Sequence, residues 1–594
     1  MARGYRPVWR DQVFLLPPDM REWLPPDHPV WMVISIVDQC DTSAFHAGRR
    51  TGGVGRAGYD PDMLVTLLIW AWLQGMRSSR RIERACSDAV SYRVICAGDV
   101  PDHVTIARFR ADNHAACGPL FAQVLMLAAQ LGLGRLETVA LDGVKIASNA
   151  SLSANRTAAG LARAAEVEAA GIAQAAVAAH AATDVEEDAL HGPGNPEMVP
   201  VALVDPAVLS ARINEAKTRI DSDLTDNPDD PDEPPDHRPP SPKQDHEPSS
   251  MFFKAAEPEL IPRDRLARIA AAQAQIAAQI EAQRAARDAL VQRYVERLNA
   301  GEKFAGQVPA EVKVALAERQ LGQAIAASQA KHARWAVLDA GPATARRSPG
   351  RRPVPVEENA RVVAAQARLG ALRAEQTDPL SATTEADTDR RSANITDPQS
   401  RMQPVRGGGW VQGYNCQAVT AADGLILATD VGISTVDSNY YLGMVEKAIA
   451  AAAMITHHRP TNTAEEPIGI VLADAGYCTR ENLTAPGPNR LIATGKSRDL
   501  HTAASTHPAQ GAPPEDAGPI AAMNHQLRTP HGIATYAQRS HIAETPFGHA
   551  KHNLGFRRFT SRGLARARSE WHFHATVHNI GKIIGHLTAT ALPA

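Results

Sequence analysis

Three carboxylates in this sequence fall where acids can do chemistry on a polyanion. Asp142 lies in "ETVALDGVKIA" (137–147) and Asp474 in "IGIVLADAGY" (468–477). Each ends an apolar, β-branched run and is followed by Gly143 or by Ala475-Gly476. In α/β sheets, ligands gather beyond the strand C-termini. A carboxylate there is held by rigid backbone, and small residues after it leave room for a ligand. Glu544 is the third acid. In "TYAQRSHIAETPFGHAKHN" (535–553) it is the sole acidic residue between Ala517 and Ser569. Six cations follow it before Glu570: Lys551, Arg557, Arg558, Arg562, Arg566 and Arg568. Oxygen ligands from two strand ends and a C-terminal helix could hold two Mg²⁺ ions, or Mn²⁺. Two such ions about 3.5–4 Å apart can activate a nucleophile and stabilise a leaving oxygen at a phosphodiester. On this reading the carboxylates hold metal and the bases hold phosphates.

Each acid also has an ordinary role open to it. Asp142 could belong to an Asp-Gly turn, Asp474 could cap the helix near Thr479, and Glu544 could offset local positive charge. The metal reading rests on the three together. Glu570, in "ARSEWHFHATVHNIGKI", is the alternative third acid; it shares an amphipathic helix with Trp571, Val577, Ile580 and Ile583. Its other role is a salt bridge to the arginines before it. His541, His549, His552, His572, His574 and His578 cluster without Cys partners or H-E-x-x-H spacing, so phosphate contact or packing suits them better than zinc. Asp397 and Asp437 flank strand-like runs and read as turn and cap residues, with contact to the site as the lesser alternative.

The elements that must position these groups divide the chain in three. Residues 1–135 read as short helices. Asp60-Pro61 starts one and Gly75 stops it, and Asp102 caps another. Basic faces at Arg77, Arg80, Arg81 and Arg84, and at Arg108 and Arg110, suggest a helix-turn-helix-like DNA-binding domain, with a plain helical bundle as the alternative. Residues 136–155 and 400–594 alternate strand and helix patterns, predicting an α/β domain. Between them, 156–399 is an insertion of Ala-rich helices (158–183, 263–299, 310–338, 357–376) around a Pro/Asp-rich stretch, 226–248, expected to be disordered. The helix from Arg263 reads as one leg of an antiparallel hairpin.

Bulk numbers narrow the class. The 594 residues carry a net charge of −3, so total charge names no partner. Its distribution does: 222–236 is acidic and 549–568 is basic, as when one face meets an anion. Six scattered cysteines with no C-x-x-C pair argue against a disulfide framework or a Cys-based zinc site. No window has the roughly 20 apolar residues of a membrane span. A soluble cytoplasmic protein with no membrane partner is expected.

Several stretches together resemble the DDE transposases of bacterial insertion sequences, the group with an InsH-like N-terminal domain. They are "RDQVFLLPPDMREWLPPDHPVW", "YDPDMLVTLLIWAWLQGMRSSRRIERAC", "VPDHVTIARFR", "ALDGVKIASNASLSANRT", "NITDPQSRM", "GWVQGYNCQAVT", "VLADAGYCTRENL" and "YAQRSHIAETPFGHAKHNLGFRRFTSRGL". They fall in family order over roughly half the chain and leave out the insertion. The resemblance implies a ribonuclease H-like catalytic domain with Asp142, Asp474 and Glu544 as its metal-binding triad. It also implies that Tyr536, Arg539 and Lys551 contact DNA phosphates, with Arg557 and Arg558 beside them. In better-known members that motif reads Tyr-x2-Arg-x3-Glu-x6-Lys. Here one more residue separates Arg539 from Glu544, and Pro546 predicts a break or kink beside the glutamate.

The expected function is therefore binding of terminal inverted repeats followed by hydrolytic cleavage and strand transfer. The released 3′-hydroxyl would attack target DNA at the same site. The DNA partners are element ends and target, and joining two ends calls for at least a homodimer on DNA. The rivals are an inactive DNA-binding relic, a metal-dependent nuclease without strand transfer, and, more distantly, a phosphatase for small substrates.

Overall fold

The computed structural model describes residues 19–47, 58–191, 211, 260–301, 308–340, 352–376, 391–405, 407–460 and 467–591. The acidic 222–236 and the Pro/Asp-rich 226–248 lie outside them. By contacts the chain forms two units, Met1–Arg163 with Phe252–Ala594, and Ala164–Met251. In the second, the described residues are the helical stretch 164–191 and Ala211.

The first seven helices are α1 (Pro29–Asp38), α2 (Ser43–His46), α3 (Pro61–Leu73), α4 (Ser79–Asp88), α5 (Val90–Ile95), α6 (His103–Asp112) and α7 (Cys117–Gln130). Their ends follow the sequence signals. Asp60 accepts from the Asp62 N–H, Pro61 opens α3, and Gly75 closes it at φ +68°. Asp102 accepts from the N–H groups of Val104 and Thr105 at the start of α6. Helix α3 is apolar almost all round, as a helix buried on every side must be.

Eight strands and eleven further helices follow: β1 (Thr138–Ala147), β2 (Asn155–Thr157), α8 (Ala158–His191), α9 (Arg265–Asn299), α10 (Ala310–Ala340), α11 (Ala360–Gln376), β3 (Ser392–Asn394), β4 (Arg401–Pro404), β5 (Trp410–Ala421), β6 (Ile426–Gly432), α12 (Tyr441–His458), β7 (Ile470–Ala473), α13 (Arg480–Thr484), β8 (Asn489–Ile492), α14 (Ser497–Thr506), α15 (Pro519–Leu527), α16 (Pro530–Arg539), α17 (Thr545–Gly548) and α18 (Leu564–Ala591). β1 is the hinge of one mixed sheet. It pairs antiparallel with β5 and parallel with β7, and β7 pairs parallel with β8. β4 and β6 both pair antiparallel with β5, at its two ends. The β2–β3 pair, Asn155–Asn394 to Thr157–Ser392, forms a two-stranded stem where the insertion leaves and rejoins the α/β part.

Within the insertion the antiparallel pair is α10 with α11, not a hairpin built on α9. Arg373 meets Glu318 at 2.7 Å and Asn359 meets Ser328 at 3.3 Å, so the two chains run opposite. The apolar side chains that α9 buries are mostly at its start, Ile269, Ala272 and Ile276, and there it packs on β3. Beyond them its apolar positions are too few to bind a partner along its length.

The larger of two apolar clusters among the described residues runs from the N-terminal helices through the sheet to α18, joining Val33, Trp72, Val139, Val419, Ile455 and Trp571; the smaller gathers Ala140, Leu472, Leu527, Tyr536 and Ile542. Trp72 packs edge-on against Phe573, with ring centroids 4.9 Å apart. Among the described residues, no helix is long and apolar enough to cross a membrane.

Candidate active site

The parallel ladder between β1 and β7 closes with the pair Leu141–Ala473, so Asp142 and Asp474 leave it side by side. Asp142 is not at the end of its strand, as its apolar run suggested. The strand continues to Ala147 because β5 still pairs it, at Asp142–Ala418 and beyond. Asp474 leaves β7 directly and turns back. Its carboxylate accepts from the Gly476 N–H at 2.8 Å, capping a single turn, Ala475–Tyr477. The cap of α13 is instead Thr479, accepting from Asn482. Gly143 is required where it stands, since a Cβ there would run into the Gln417 amide.

Glu544 reaches the site from α16. That helix does not break at Pro546. It widens into a π turn at Ser540–Glu544, narrows for α17, and widens again at His549–Asn553. A π turn bonds residue i to i+5 where an α turn bonds i to i+4. The residue added between Arg539 and Glu544 is thus absorbed inside the turn, and the two side chains stay on one face. Arg539 lies 3.3 Å from Asp142 Oδ2 and 3.5 Å from Glu544 Oε1. Burial pushes the Asp142 carboxyl from 3.8 up to about 6. Arg539 pulls it down and Asp474 pushes it further up. Burial also works against the Arg539 charge, yet Asp142, Asp474 and Glu544 help hold its pKa above the usual value. Glu544 itself is about half exposed.

The other expected site residues divide by exposure. Tyr536 is buried and donates to the Ala473 carbonyl at 3.3 Å, one residue before Asp474, so it braces the strand end. Lys551 is half-buried, its pKa lowered by burial, and near enough to Asp142 for their charges to interact. The Arg557 and Arg558 side chains are exposed while their backbone extends the end of β1, where Phe559 N–H donates to Ala147 O at 2.8 Å. Arg80, Arg81 and Arg84 on α4 and Arg108 on α6 are exposed. Arg568 is taken up internally by Asp430 at 3.0 Å.

Glu570 is elsewhere. Its buried carboxylate accepts from the N–H groups of Thr560 and Ser561 and from the Thr560 hydroxyl, and Arg77 lies 3.7 Å away. It fastens a loop. The helical histidines pack: His574 stacks on Trp571, and His578 contacts the Gly424 carbonyl at 3.0 Å.

Two families match the chain. Residues 18–112 match the family described as Transposase domain (DUF772), and residues 514–584 match the Transposase DDE domain. The chain carries the domains of an insertion-sequence DDE transposase. No curated protein and no solved structure matches it. The second transposase match contains Glu544 and the widened helix that presents it.

Asp437, read first as a cap, lies beside this site. Its Oδ1 takes Lys145 Nζ at 2.7 Å, Asn415 Nδ2 at 2.7 Å and Gln417 Nε2 at 3.2 Å. The signal was present in the strand alternation: Gly143, Lys145, Asn415 and Gln417 share one face of the β1–β5 ladder. Among the described residues, the acid and histidine ligand atoms that converge within 4.8 Å are those of His46, Asp60 and Asp62. They need no ion, because Asp60 caps α3 and His46 bonds Asp62 at 2.9 Å.

Proposed function

We propose that this transposase binds the terminal inverted repeats of a mobile element and catalyses metal-dependent cleavage and strand transfer. Asp142, Asp474 and Glu544 would hold two Mg²⁺ ions, or Mn²⁺. The observation that carries the reading is Arg539, a half-buried cation held between Asp142 and Glu544 at the mouth of two parallel strands. Burial raises the Asp142 carboxyl and Asp474 adds to the rise, so the ionised pair is costly without a cation beside it. Hard oxygen donors around such a charge suit a divalent cation. When bound, the ions would polarise the phosphodiester and stabilise the developing charge. The chain's own part is to hold the carboxylates at fixed strand and helix positions. Lys551, Arg557 and Arg558 would seat phosphates, and Arg539 would be free to do so once its carboxylates bind metal. The sheet order, with β1 between an antiparallel β5 and a parallel β7, supports a ribonuclease H-like catalytic domain. The exposed arginines of α4 and α6 support DNA binding by an InsH-like N-terminal domain. Two ends must meet for strand transfer, so the working form on DNA would be at least a dimer.

The test is cleavage of a labelled duplex carrying the element's ends, with Mg²⁺, by wild type, Glu544→Ala and Glu570→Ala. Loss of nicking and strand transfer in Glu544→Ala, with end binding retained, is expected. If wild type binds ends and never cuts, the chain is a relic; if it cuts without joining, it is a nuclease.

A further inference from the structure

The parallel ladder that aligns Asp142 with Asp474 stops one residue short of both, at Leu141–Ala473. Something else must fix the spacing of two like charges beyond that point. A chain of hydrogen bonds on the opposite face of β1 does so. Lys145, three residues past Asp142, bonds Asp437. Gln417 Nε2 bonds the same Asp437 oxygen. Gln417 Oε1 accepts from the buried Tyr477 hydroxyl, three residues past Asp474. Asn482 adds a second tie, donating to Ser438 O and Tyr477 O at 3.1 and 2.9 Å.

Asp437 is where the path meets. Three donors converge on its Oδ1, one of them a lysine only 14 % exposed. An anion accepts such a set far better than an amide does. Its two oxygens also face the positions where the glycines that follow the site acids lack a side chain. Oδ1 would lie 3.1 Å from a Cβ on Gly143, and Oδ2 3.5 Å from one on Gly476. Within this path Gln417 also donates to Asn415 Oδ1 at 2.8 Å, and Asn415 also donates to the Ser434 carbonyl at 3.1 Å. Asn415 and Gln417 are fully buried polar groups on a strand of apolar neighbours.

We propose that Asp437 is a positioning residue of the metal site, setting the separation of Asp142 and Asp474 through Gly143, Gln417 and Tyr477. This rests on the metal-binding reading above. Groups that orient metal ligands without touching the ion are worth about 10–100-fold in metal affinity or activity.

The experiment is Mn²⁺ binding to the DNA-free full chain, followed by electron paramagnetic resonance, for wild type, Asp142→Asn and Asp437→Asn. Thermal melting is run alongside. Asp142→Asn should nearly abolish binding. Asp437→Asn should weaken it about 10–100-fold in a chain that still folds, at a lowered Tm because Lys145 loses its anion. In cleavage of the element's ends, its defect should be recovered by raising Mn²⁺, which a mere folding defect would not allow. If Asp142→Asn loses Mn²⁺ and Asp437→Asn binds it like wild type, the positioning role is overturned and the metal site stands. If wild type binds no Mn²⁺, or Asp142→Asn binds it normally, the metal reading falls and this proposal with it. Should Asp437→Asn not fold, Asn415→Ser removes one donor and leaves Lys145 paired. A several-fold loss of Mn²⁺ affinity is then expected, and unchanged affinity overturns the proposal.

Discussion

Asp142 costs the protein stability in order to be useful. Its carboxyl titrates at about 6 in the folded chain against 3.8 as the reference. Below pH 3.8 it is protonated in both states and carries no penalty. As pH rises through 6 the native state must ionise it in a buried place, and stability is lost. The shift corresponds to about 3 kcal/mol at most. Asp142→Asn should therefore raise the Tm of the metal-free chain at pH 7.5, with the gain shrinking toward zero at pH 4. A melting series across that range checks it; an equal effect at both ends would show that the charge is not the cause. Arg539 meets the same charge from the other side. Removing it as Arg539→Gln strips the counter-cation from Asp142 and Glu544, so DNA-free Mn²⁺ affinity should rise several-fold while end cleavage falls. Titration calorimetry reads the first and the duplex assay the second. A fall in Mn²⁺ affinity would mean that Arg539 holds the acids in place and does not stand where the cation would.

At the scale of elements, the widened helix is the feature that spacing alone could not resolve. The residues showed one position too many between Arg539 and Glu544, and a proline two residues later. Whether a helix breaks or widens there is decided by packing, and here Ile542, Ala543, Pro546 and Phe547 are all buried. Keeping them inward favours a π turn over a break. Deleting Ser540 should let Ser540–Glu544 close as an ordinary α turn with Glu544 still facing Arg539, so end cleavage should persist within about tenfold. Inserting an alanine after Ala543 should swing Glu544 by roughly 100° and abolish cleavage. A dead deletion variant would mean that the π turn itself is needed. The strands were legible for the opposite reason: β-branched runs mark β5, β6 and β7 locally, and Ala422-Asp423-Gly424 supplies the turn between β5 and β6. What the strands do with their polar faces was not legible. Asp437 reads as a cap until β1 and β5 are paired, because its partners Lys145 and Asn415 are 270 residues apart in the chain.

Across the whole molecule, the N-terminal helices and the α/β part are joined mechanically as well as by sequence. Arg77, just past α3, donates to the Gly555 and Arg558 carbonyls at 3.0 Å each and lies over the Phe556 ring. Arg558 in turn bridges Ala147 at the end of β1, the strand that carries Asp142. Sequence patterning separates a helical region from an α/β region because their periodicities differ. It does not show that both bury side chains in one core, since Trp72 and Phe573 touch across 501 positions. Arg77→Met should thus act at a distance. It removes two hydrogen bonds and leaves Glu570 without its cation, a loss of about 3–5 kcal/mol where a buried pair is broken. It also loosens the segment bearing Arg557 and Arg558. The N-terminal helices and the sheet that share one apolar cluster should unfold together at a lowered midpoint. End cleavage should fall more than end binding, since the exposed arginines of α4 and α6 are untouched. Calorimetry and paired binding and cleavage assays decide it. Two resolved transitions, or equal losses of binding and cleavage, would mean that the two parts act independently and that Arg77 serves the N-terminal helices alone.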